Sequence, residues 1–528
     1  MNLPVELIIL PALLFLAAPL LLILLRLTRP RFAYYWLVSV FTALVALPLL
    51  WFSRLQSPAL FSPLELTPGI LFPYTPAFIL DSISLPYAVS VGTVALAVIL
   101  TDVARTSETS WQNWAGSLMI TGLGLLAVMA GNPLTLALAW AAIDLLELAV
   151  LLSQMINRAD YERIVIAYAV RAGGIFLLIT AAVAAQSTGT ALSFTSIPQQ
   201  TGVYLILAAG LRLGIIPLHL PILQETTLRR GLGTLLRLVP AAAGLILLSR
   251  AATAGAPAHL VNILLALIAV TAVYAGASWL GAEDELDGRW FWILGTAALT
   301  AAAAVRGNPG ASLAWGTSAL LSGALLFLSS ARQRRILPIL WLGLLGFSAL
   351  PYTPAWQGLF IYSAPFNIWV WPLLLAHILL LAGFARHILR PEPPPYGLEQ
   401  WIWLIYPLGL LLLPVSHFVL PWWNRPESGA QLFPTLLSSW PGLLAVAVVA
   451  GLIIWNPDPP RLSRSTSEIL QAILSFQWLY HAFWAVYHFL GRIVSLINLI
   501  LEGEGGILWT LLLLVLLLSL VIQQFAGG

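Results

Sequence analysis

The side chains able to do chemistry in this sequence are ionisable residues set inside long apolar stretches. Asp144 and Glu147 stand three residues apart in Ala-Trp-Ala-Ala-Ile-Asp-Leu-Leu-Glu-Leu-Ala. On a helix that spacing puts both carboxylates on one face, about a turn apart. Two acids so close cannot both ionise at low cost, so one could hold a proton at neutral pH. The pattern suits a proton relay, and equally a helix–helix contact with a buried arginine. Arg171 lies in Ala-Tyr-Ala-Val-Arg-Ala-Gly-Gly-Ile-Phe, where Gly173 and Gly174 let a neighbouring helix come close. A buried arginine wants a carboxylate, and Asp144 or Glu147 is the obvious partner; structural pairing is the favoured reading there. Arg212 precedes Leu-Gly-Ile-Ile-Pro-Leu-His-Leu-Pro. Pro217 and Pro221 would interrupt the hydrogen-bond ladder, which is tolerated at membrane depth only where protein or water satisfies the freed carbonyls. Discontinuous helices of this kind mark ion sites in transporters. His219 sits beside the break, and an imidazole titrates near neutral pH; a hydrogen-bonded histidine at a structural kink is the plainer alternative. Arg237 precedes Pro240 near the start of an apolar run and is expected to snorkel to the cytoplasmic edge. All 24 basic residues are arginine, and there is no lysine. Arginine stays protonated in essentially any protein environment, so it can anchor a carboxylate but cannot hand on a proton.

The elements that must position these groups are membrane helices. The chain has 528 residues, 60% of them hydrophobic and 9% charged, against about 25% charged in soluble domains. No soluble core absorbs that much apolar surface. A net charge of +3 is too small and dispersed for a nucleic-acid surface. With no cysteine there is no disulfide, thiolate metal site or iron–sulfur cluster. The first apolar run, from about Leu7 to Leu25, has no basic residue before it and no small-residue cleavage site, and reads as a retained helix rather than a signal peptide. Candidate spans lie near 5–25, 33–52, 79–100, 113–130, 133–155, 162–185, 201–216, 233–250, 258–281, 290–305, 310–329, 336–350, 358–385, 401–422, 434–455 and 507–525. The loops between them alternate in charge. One set holds Arg26, Arg29, Arg31, Arg105, Arg158, Arg163, Arg229, Arg230, Arg289, Arg332, Arg334, Arg335, Arg386, Arg390, Arg461 and Arg464; the other holds Arg54, Arg250, Arg306 and Arg425. The positive-inside rule places the rich set in the cytoplasm and the N-terminus outside.

Two segments depart from this pattern. Residues 53–78 form a proline-rich outer loop with Pro58, Pro63, Pro68, Pro73 and Pro76. Residues 465–500 are apolar but dotted with Glu468, Gln471, Gln477, His481, His488, Arg492 and Asn498, which suits an amphipathic helix on the cytoplasmic surface. Such a helix followed by one returning span could brace neighbouring subunits, or simply lie beside the membrane. The expected organisation is a bundle over 1–455, a surface helix over 456–506 and a last span over 507–528.

These residues together resemble the antiporter-like membrane subunits of respiratory complex I, an NADH:quinone oxidoreductase, and their relatives in Mrp-type cation/proton antiporters and membrane-bound hydrogenases. The clearest match is Arg212 through His219: the family has a lysine there, then Pro-Leu-His beginning five residues later, as Pro217, Leu218 and His219 do here. Pro240-Ala-Ala-Ala-Gly-Leu-Ile-Leu-Leu-Ser-Arg250 looks like the family's second broken helix, Leu80-Asp81-Ser82-Ile83-Ser84-Leu85 like the start of its third span, and Asn132 through Trp140 like its fifth. Arg171 matches the arginine of its Asn-Arg-x-Gly-Asp pattern, and Ala349-Leu350-Pro351 to Gly358 its Gly-Leu-Pro…Gly-Phe turn. The surface helix and last span look like the lateral arm of the largest such subunit of complex I. The departures fall on the proton path. The family's fifth-span glutamate is Ala141 here, and its seventh-span lysine is Arg212. The eighth-span basic residue falls near Leu236 or Arg237. Its Asp-Asp-Leu-Lys-Arg becomes Asp284-Glu285-Leu286-Asp287-Gly288, and a later His-Ala-Leu-Phe-Lys falls near Ser318 to Gly323. The distal lysine or glutamate has no certain counterpart, His377 or Arg386 being nearest.

The resemblance implies an all-α bundle of about 14–16 transmembrane helices with broken helices at Pro217, Pro221 and Pro240, in the cell (inner) membrane. It implies a membrane subunit of a complex I-like or Mrp-like assembly, contributing to proton or sodium movement coupled to electron transport. Asp144 and Glu147 would admit the proton, Arg171 and Arg212 would modulate it, His219 and His377 would relay it, and Arg237 would also lie on the path. Partners would be other membrane subunits and the lipid bilayer, with no redox cofactor, metal, catalytic centre or nucleic acid. One rival keeps the fold and drops the transport, leaving a scaffold. A more distant one is a polytopic lipid-linked glycosyltransferase, for which Glu283-Asp284-Glu285-Asp287 is the candidate acidic cluster; it reads more simply as a solvated loop with helix caps.

Overall fold

The computed structural model describes residues 8–63, 74–105, 110–154, 158–187, 189, 191–219, 230–330, 335–363, 365, 367–390, 401–423 and 434–455, with parts of 481–495 and all of 510–519. Most of it is helix. α1 (Leu10–Thr28) and α2 (Tyr35–Phe52) lead to a hairpin of β1 (Ala59–Phe61) and β2 (Phe78–Leu80). Then come α3 (Ser84–Asp102), α4 (Trp111–Val128), α5 (Pro133–Gln154), α6 (Arg158–Ser187), α7 (Gln199–Leu213) and α8 (Arg230–Ala251). α9 (Ala258–Gly281), α10 (Arg289–Val305), α11 (Pro309–Leu328) and α12 (Leu337–Phe347) follow. A 3-10 segment, Pro354–Tyr362, precedes α13 (Val370–Leu389), α14 (Ile402–Trp423) and α15 (Trp440–Trp455). Among the described residues, 11 helices are long and apolar enough to cross a membrane; α10, α12 and the helix Thr510–Ser519 are shorter but apolar. The fold is thus the all-α polytopic bundle expected.

The chain divides into two units, Met1–Glu468 and Ile469–Gly528. In the second, residues 481, 484–485, 488–489, 491–493 and 495 are helical, as is 510–519. The rest of the expected surface helix over 456–506 lies outside the described residues.

In the first unit, α3 and α8 are buried along their whole length and α11 nearly so, whereas only 33% of the α1 and α2 spans and 28% of the α15 span are buried. α8 packs on α3, α4, α7, α10 and α11, so it forms the axis of this unit. Apolar helices gain little from burial against one another in lipid, and close packing of small residues must do the work. Gly124 of α4 faces Val239 of α8, Gly244 of α8 faces Leu213 of α7, and Gly316 of α11 leaves the space that the Tyr87 hydroxyl fills. That hydroxyl lies 2.9 Å from Ser249 Oγ, which lies 3.1 Å from Ser312 Oγ, joining α3, α8 and α11. Other buried hydroxyls return to their own helix, as when Ser90 donates to the Pro86 carbonyl and Thr101 to that of Ala97.

The third span begins at Ser84, not near residue 79, because Phe78–Leu80 pairs with Ala59–Phe61 as an antiparallel strand. Asp81 then turns the chain: its Oδ1 accepts from the backbone N–H of Ile83 (3.0 Å) and Ser84 (2.9 Å). Arg250, in the last turn of α8, donates to both Asp81 oxygens and so ties the start of α3 to the end of α8. Two expectations need correction. Pro240 does not break its helix; α8 runs continuously from Arg230 to Ala251 with Pro240 inside it, surrounding helices holding the ladder where one donor is lost. The span expected over 358–385 starts only at Val370, because Pro354–Tyr362 winds as 3-10 helix.

Burial pushes the Asp81 carboxyl up, but the Arg250 guanidinium and the two backbone N–H groups outweigh it and hold the group below the ordinary carboxylate range. A depressed folded value means the stabilisation is present at neutral pH and disappears as pH falls through that folded value. Asp81→Asn should therefore cost about 3 kcal/mol at pH 7. In thermal unfolding of the detergent-solubilised protein, the gap between variant and parent should close on acidification below pH 4.

Candidate functional site

The ionisable residues of α5, α6, α7 and α8 meet in one buried cluster. Asp144 and Glu147 share one face of α5. Arg212, in the last turn of α7, binds Asp144 with both arms, Nη1 to Oδ2 at 2.7 Å and Nη2 to Oδ1 at 2.6 Å. Arg171 of α6 binds Glu147 with both arms, the longer contact being 3.1 Å, and its Nη1 also lies 3.6 Å from Asp144 Oδ1. Arg237 of α8 donates to Glu147 Oε1 at 2.8 Å. None of these side chains is more than 8% exposed.

The sequence shapes this locally. Gly174 lets α6 approach α7, since a Cβ there would lie 3.2 Å from the Ala208 carbonyl and 3.4 Å from Arg212 Cβ. Trp140, one turn before Asp144, lies under the Arg212 guanidinium at 4.6 Å, and Trp290 of α10 lies under that of Arg237 at 4.8 Å. Flat aromatic faces suit weakly hydrated guanidinium ions. Arg237 was expected to snorkel to the membrane edge; instead it is 2% exposed and points inward to Glu147, because an unmet carboxylate inside the bundle costs more than a desolvated arginine that completes it. Each of the two acids meets arginines: Asp144 meets Arg212 and Arg171, and Glu147 meets Arg171 and Arg237. A cavity of about 10 Å³ opens between α5 and α6, lined by Asp144, Glu147, Tyr168 and Arg171, room for about one water.

α7 ends at Leu213, where Gly214 (φ +81°) adopts the left-handed cap and the Ile215 N–H returns to the Gly210 carbonyl at 2.8 Å. The helix is therefore interrupted before Pro217, by glycine rather than by proline; Pro221 lies outside the described residues. His219 is buried and turns back on its own segment, its Nδ1 donating to the Pro217 carbonyl at 2.9 Å. His377 does not join the cluster. It sits on α13 among the rings of Trp315 (4.9 Å), Phe347 (5.6 Å) and Tyr362 (6.5 Å).

Three features were missed in the sequence. The Asp81–Arg250 clamp joins residues 169 apart, with no local signal. Glu285, read as part of a solvated loop, is fully buried and pairs with Arg230 of α8 at 2.5 Å, while Asp284 does cap the backbone N–H groups of Leu286 and Asp287. The Ser318 to Gly323 stretch holds no histidine, yet His417 of α14 reaches it, Nε2 lying 3.0 Å from Ser318 Oγ. Among the described residues no group of three or more His, Cys, Asp or Glu side chains is placed to hold a metal.

Comparison with solved structures finds this fold in membrane complexes. A chain in the structure of the Mrp complex from Dietzia sp. DQ12-45-1b superposes with a TM-score of 0.70 at 16% identity, over 98% of this chain and 63% of that one. This chain therefore spans less than two thirds of the length of that chain. A chain of the membrane-bound sulfane sulfur reductase, an archaeal respiratory membrane complex, gives 0.66 at 14% identity over 96% and 99%. A chain of respiratory complex I from Thermus thermophilus with bound aureothin gives 0.57 at 17% identity over 78% and 98%. No sequence family and no curated protein matches the chain. At these identities the likeness is one of fold: a polytopic membrane helix bundle of the kind seen in those three complexes.

Breaking one partner of a buried pair leaves a charge stranded, so Asp144→Asn or Arg212→Gln alone should cost about 3–5 kcal/mol. The two changes together should cost clearly less than their sum. Unfolding of all four forms in mild detergent measures the difference; strict additivity would contradict the bidentate pair.

Proposed function

We propose that this chain is an antiporter-like membrane subunit of a complex I-like or Mrp-like assembly, with its N-terminus outside, taking part in the movement of protons or sodium ions coupled to electron transport. The observation that carries the reading is the five-residue charge cluster buried where α5, α6, α7 and α8 meet. An intramembrane ionisable group costs several kcal/mol unless paired or hydrated, and such clusters mark ion paths. Arg171 stands between two carboxylates, bonded to Glu147 and 3.6 Å from Asp144. A small swing of its guanidinium would loosen Glu147 and tighten Asp144, while Arg237 and Arg212 stay in place. The cavity beside them would admit the water that carries a proton to the loosened acid. In this reading the arginines act by changing partners, Asp144 and Glu147 take up and release the proton, and His219 and His377 are candidates for onward relay.

A second reading keeps the fold as a sealing and scaffolding subunit that moves no ion. It is favoured by the chemistry of the cluster's cations: every one is an arginine, which cannot release a proton at accessible pH.

The assembly, purified with its partner subunits and reconstituted in vesicles, separates the two. Proton or sodium flux that falls at least roughly tenfold on Glu147→Gln or Asp144→Asn, with assembly intact, is expected from the transport reading. Flux indifferent to both substitutions, together with loss of assembly on removing residues 465–528, would establish the scaffold instead.

A further inference from the structure

Arg306 stands in the loop between α10 and α11 and pairs with no carboxylate among the described residues. Its Nη2 donates to the carbonyls of Ser363 (2.6 Å) and Pro365 (2.9 Å). Its Nε and Nη1 N–H groups meet no acceptor among the described residues, so most of its donors are unspent. Burial pushes its pKa below the ordinary arginine value, and no acid raises it again. Arg250, which the loop charges place at the same end of the bundle, differs in meeting both oxygens of Asp81. A half-buried guanidinium without an acid is costly unless an anion or water reaches it.

Arg306 lines a cavity of about 500 Å³, a volume typical of small-molecule sites. Close backbone contacts build its walls. Gly255 (φ +67°) packs on Gly307 (φ +70°), where an added Cβ would stand 3.3 Å from the Gly307 Cα. The Ala256 N–H donates to the Val305 carbonyl at 3.2 Å. Gly202 of α7 lies so near the Gly255 carbonyl that a Cβ would come within 2.6 Å of it. α7, α9 and α11 all begin at the cavity, with Gln199, Ala258 and Asn308 in its lining. Pro198 and Pro257 stand at the caps of α7 and α9, and neither helix start has a side-chain cap. Their first backbone N–H groups are left to water or a ligand. Asn308 caps α11 through its Oδ1, which accepts from the Ala311 N–H at 2.9 Å. No Asp or Glu lines the cavity among the described residues. Further along α9 the wall turns apolar. Ala258, Val261 and Leu265 follow one face of that helix for two turns, about 10 Å. Elsewhere on α9, Ile263 and Val270 are each 60% exposed, as befits a helix bordering lipid.

We propose that this cavity binds an anionic phospholipid, its phosphate on Arg306 and the starts of α7 and α9, and an acyl chain along the Ala258, Val261 and Leu265 face of α9. A guanidinium fork meets a phosphate with charge-assisted hydrogen bonds, and the positive ends of the two helices add to the attraction. The apolar wall separates a lipid from a free phosphate ion. A small anion leaves that wall against water, whereas a chain covers it. Bound there, the lipid joins the starts of α7, α9 and α11 at one end of the bundle. The proposal rests on the membrane fold and is independent of ion transport.

The test uses the full chain in a mild nonionic detergent, stripped of lipid and titrated with phosphatidylglycerol, phosphatidylcholine or inorganic phosphate. Native mass spectrometry reads what stays bound. The tightest site should prefer phosphatidylglycerol to phosphatidylcholine by roughly tenfold or more, and inorganic phosphate should neither fill it nor displace the lipid. Arg306→Gln should weaken phosphatidylglycerol roughly tenfold, and Arg306→Lys, which keeps the charge, by less. Val261→Trp, which fills the apolar wall and leaves Arg306 in place, should weaken it to a similar extent. Phosphatidylglycerol held equally well by the parent, Arg306→Gln and Val261→Trp would overturn the proposal. Inorganic phosphate bound by the parent, lost in Arg306→Gln and indifferent to Val261→Trp, would also overturn it in favour of a free-anion site. If Arg306→Gln does not fold, Val261→Trp decides alone.

Discussion

Three guanidinium groups and two carboxylates, removed from water together, set the terms for the rest of this molecule. Each ion alone would be prohibitively costly at that depth. The cost is offset only by two-armed geometry, Arg212 on Asp144 and Arg171 on Glu147, with Arg237 completing the second acid. That geometry fixes four helices relative to one another. It requires glycine at 174 so that α6 can approach α7, and aromatic rings at 140 and 290 on which the guanidiniums lie. α8 can serve as the buried axis because each of its arginines meets a neighbour's acid, Arg230 on Glu285, Arg237 on Glu147 and Arg250 on Asp81.

The use of arginine throughout gives the cluster a particular chemistry. A lysine ammonium can lose its proton when desolvated, whereas a guanidinium remains a planar permanent cation with several donors. The cluster is therefore better suited to exchanging partners than to passing a proton from cation to cation, and any proton that moves must use its acids, water or the histidines. The division of labour along the bundle follows. The buried ion cluster sits at α5 to α8, while the helices α11, α12 and α14 carry no Asp, Glu or Arg and α13 carries Arg386 in its last turn.

Polar pairs also close the bundle at its ends. Asp81 with Arg250 joins the start of α3 to the end of α8, and Glu285 with Arg230 joins the loop before α10 to the start of α8. The axial helix is thus held by an ion pair at each end and by the cluster between them. This accounts for its running unbroken through Pro240, where the isolated sequence suggests a break.

Composition and spacing by themselves determined the class of the molecule. An apolar chain this poor in charge has to cross the membrane many times, and hydrophobic runs near the bilayer thickness place helices close to where they occur. The three-residue spacing of Asp144 and Glu147 put both acids on one face, and the need of a buried Arg171 for a carboxylate pointed to its partner, since helical periodicity and the cost of a bare charge are local properties. The break after Arg212 was legible for the same reason, although Gly214 makes it rather than Pro217. Only the tertiary structure decided which helices face one another. It turned Arg237 inward to Glu147, joined Asp81 to Arg250 across 169 residues, buried Glu285 and brought His417 to serines a hundred positions earlier. Such partners are chosen by packing between helices far apart in sequence, and a linear pattern carries no record of that choice.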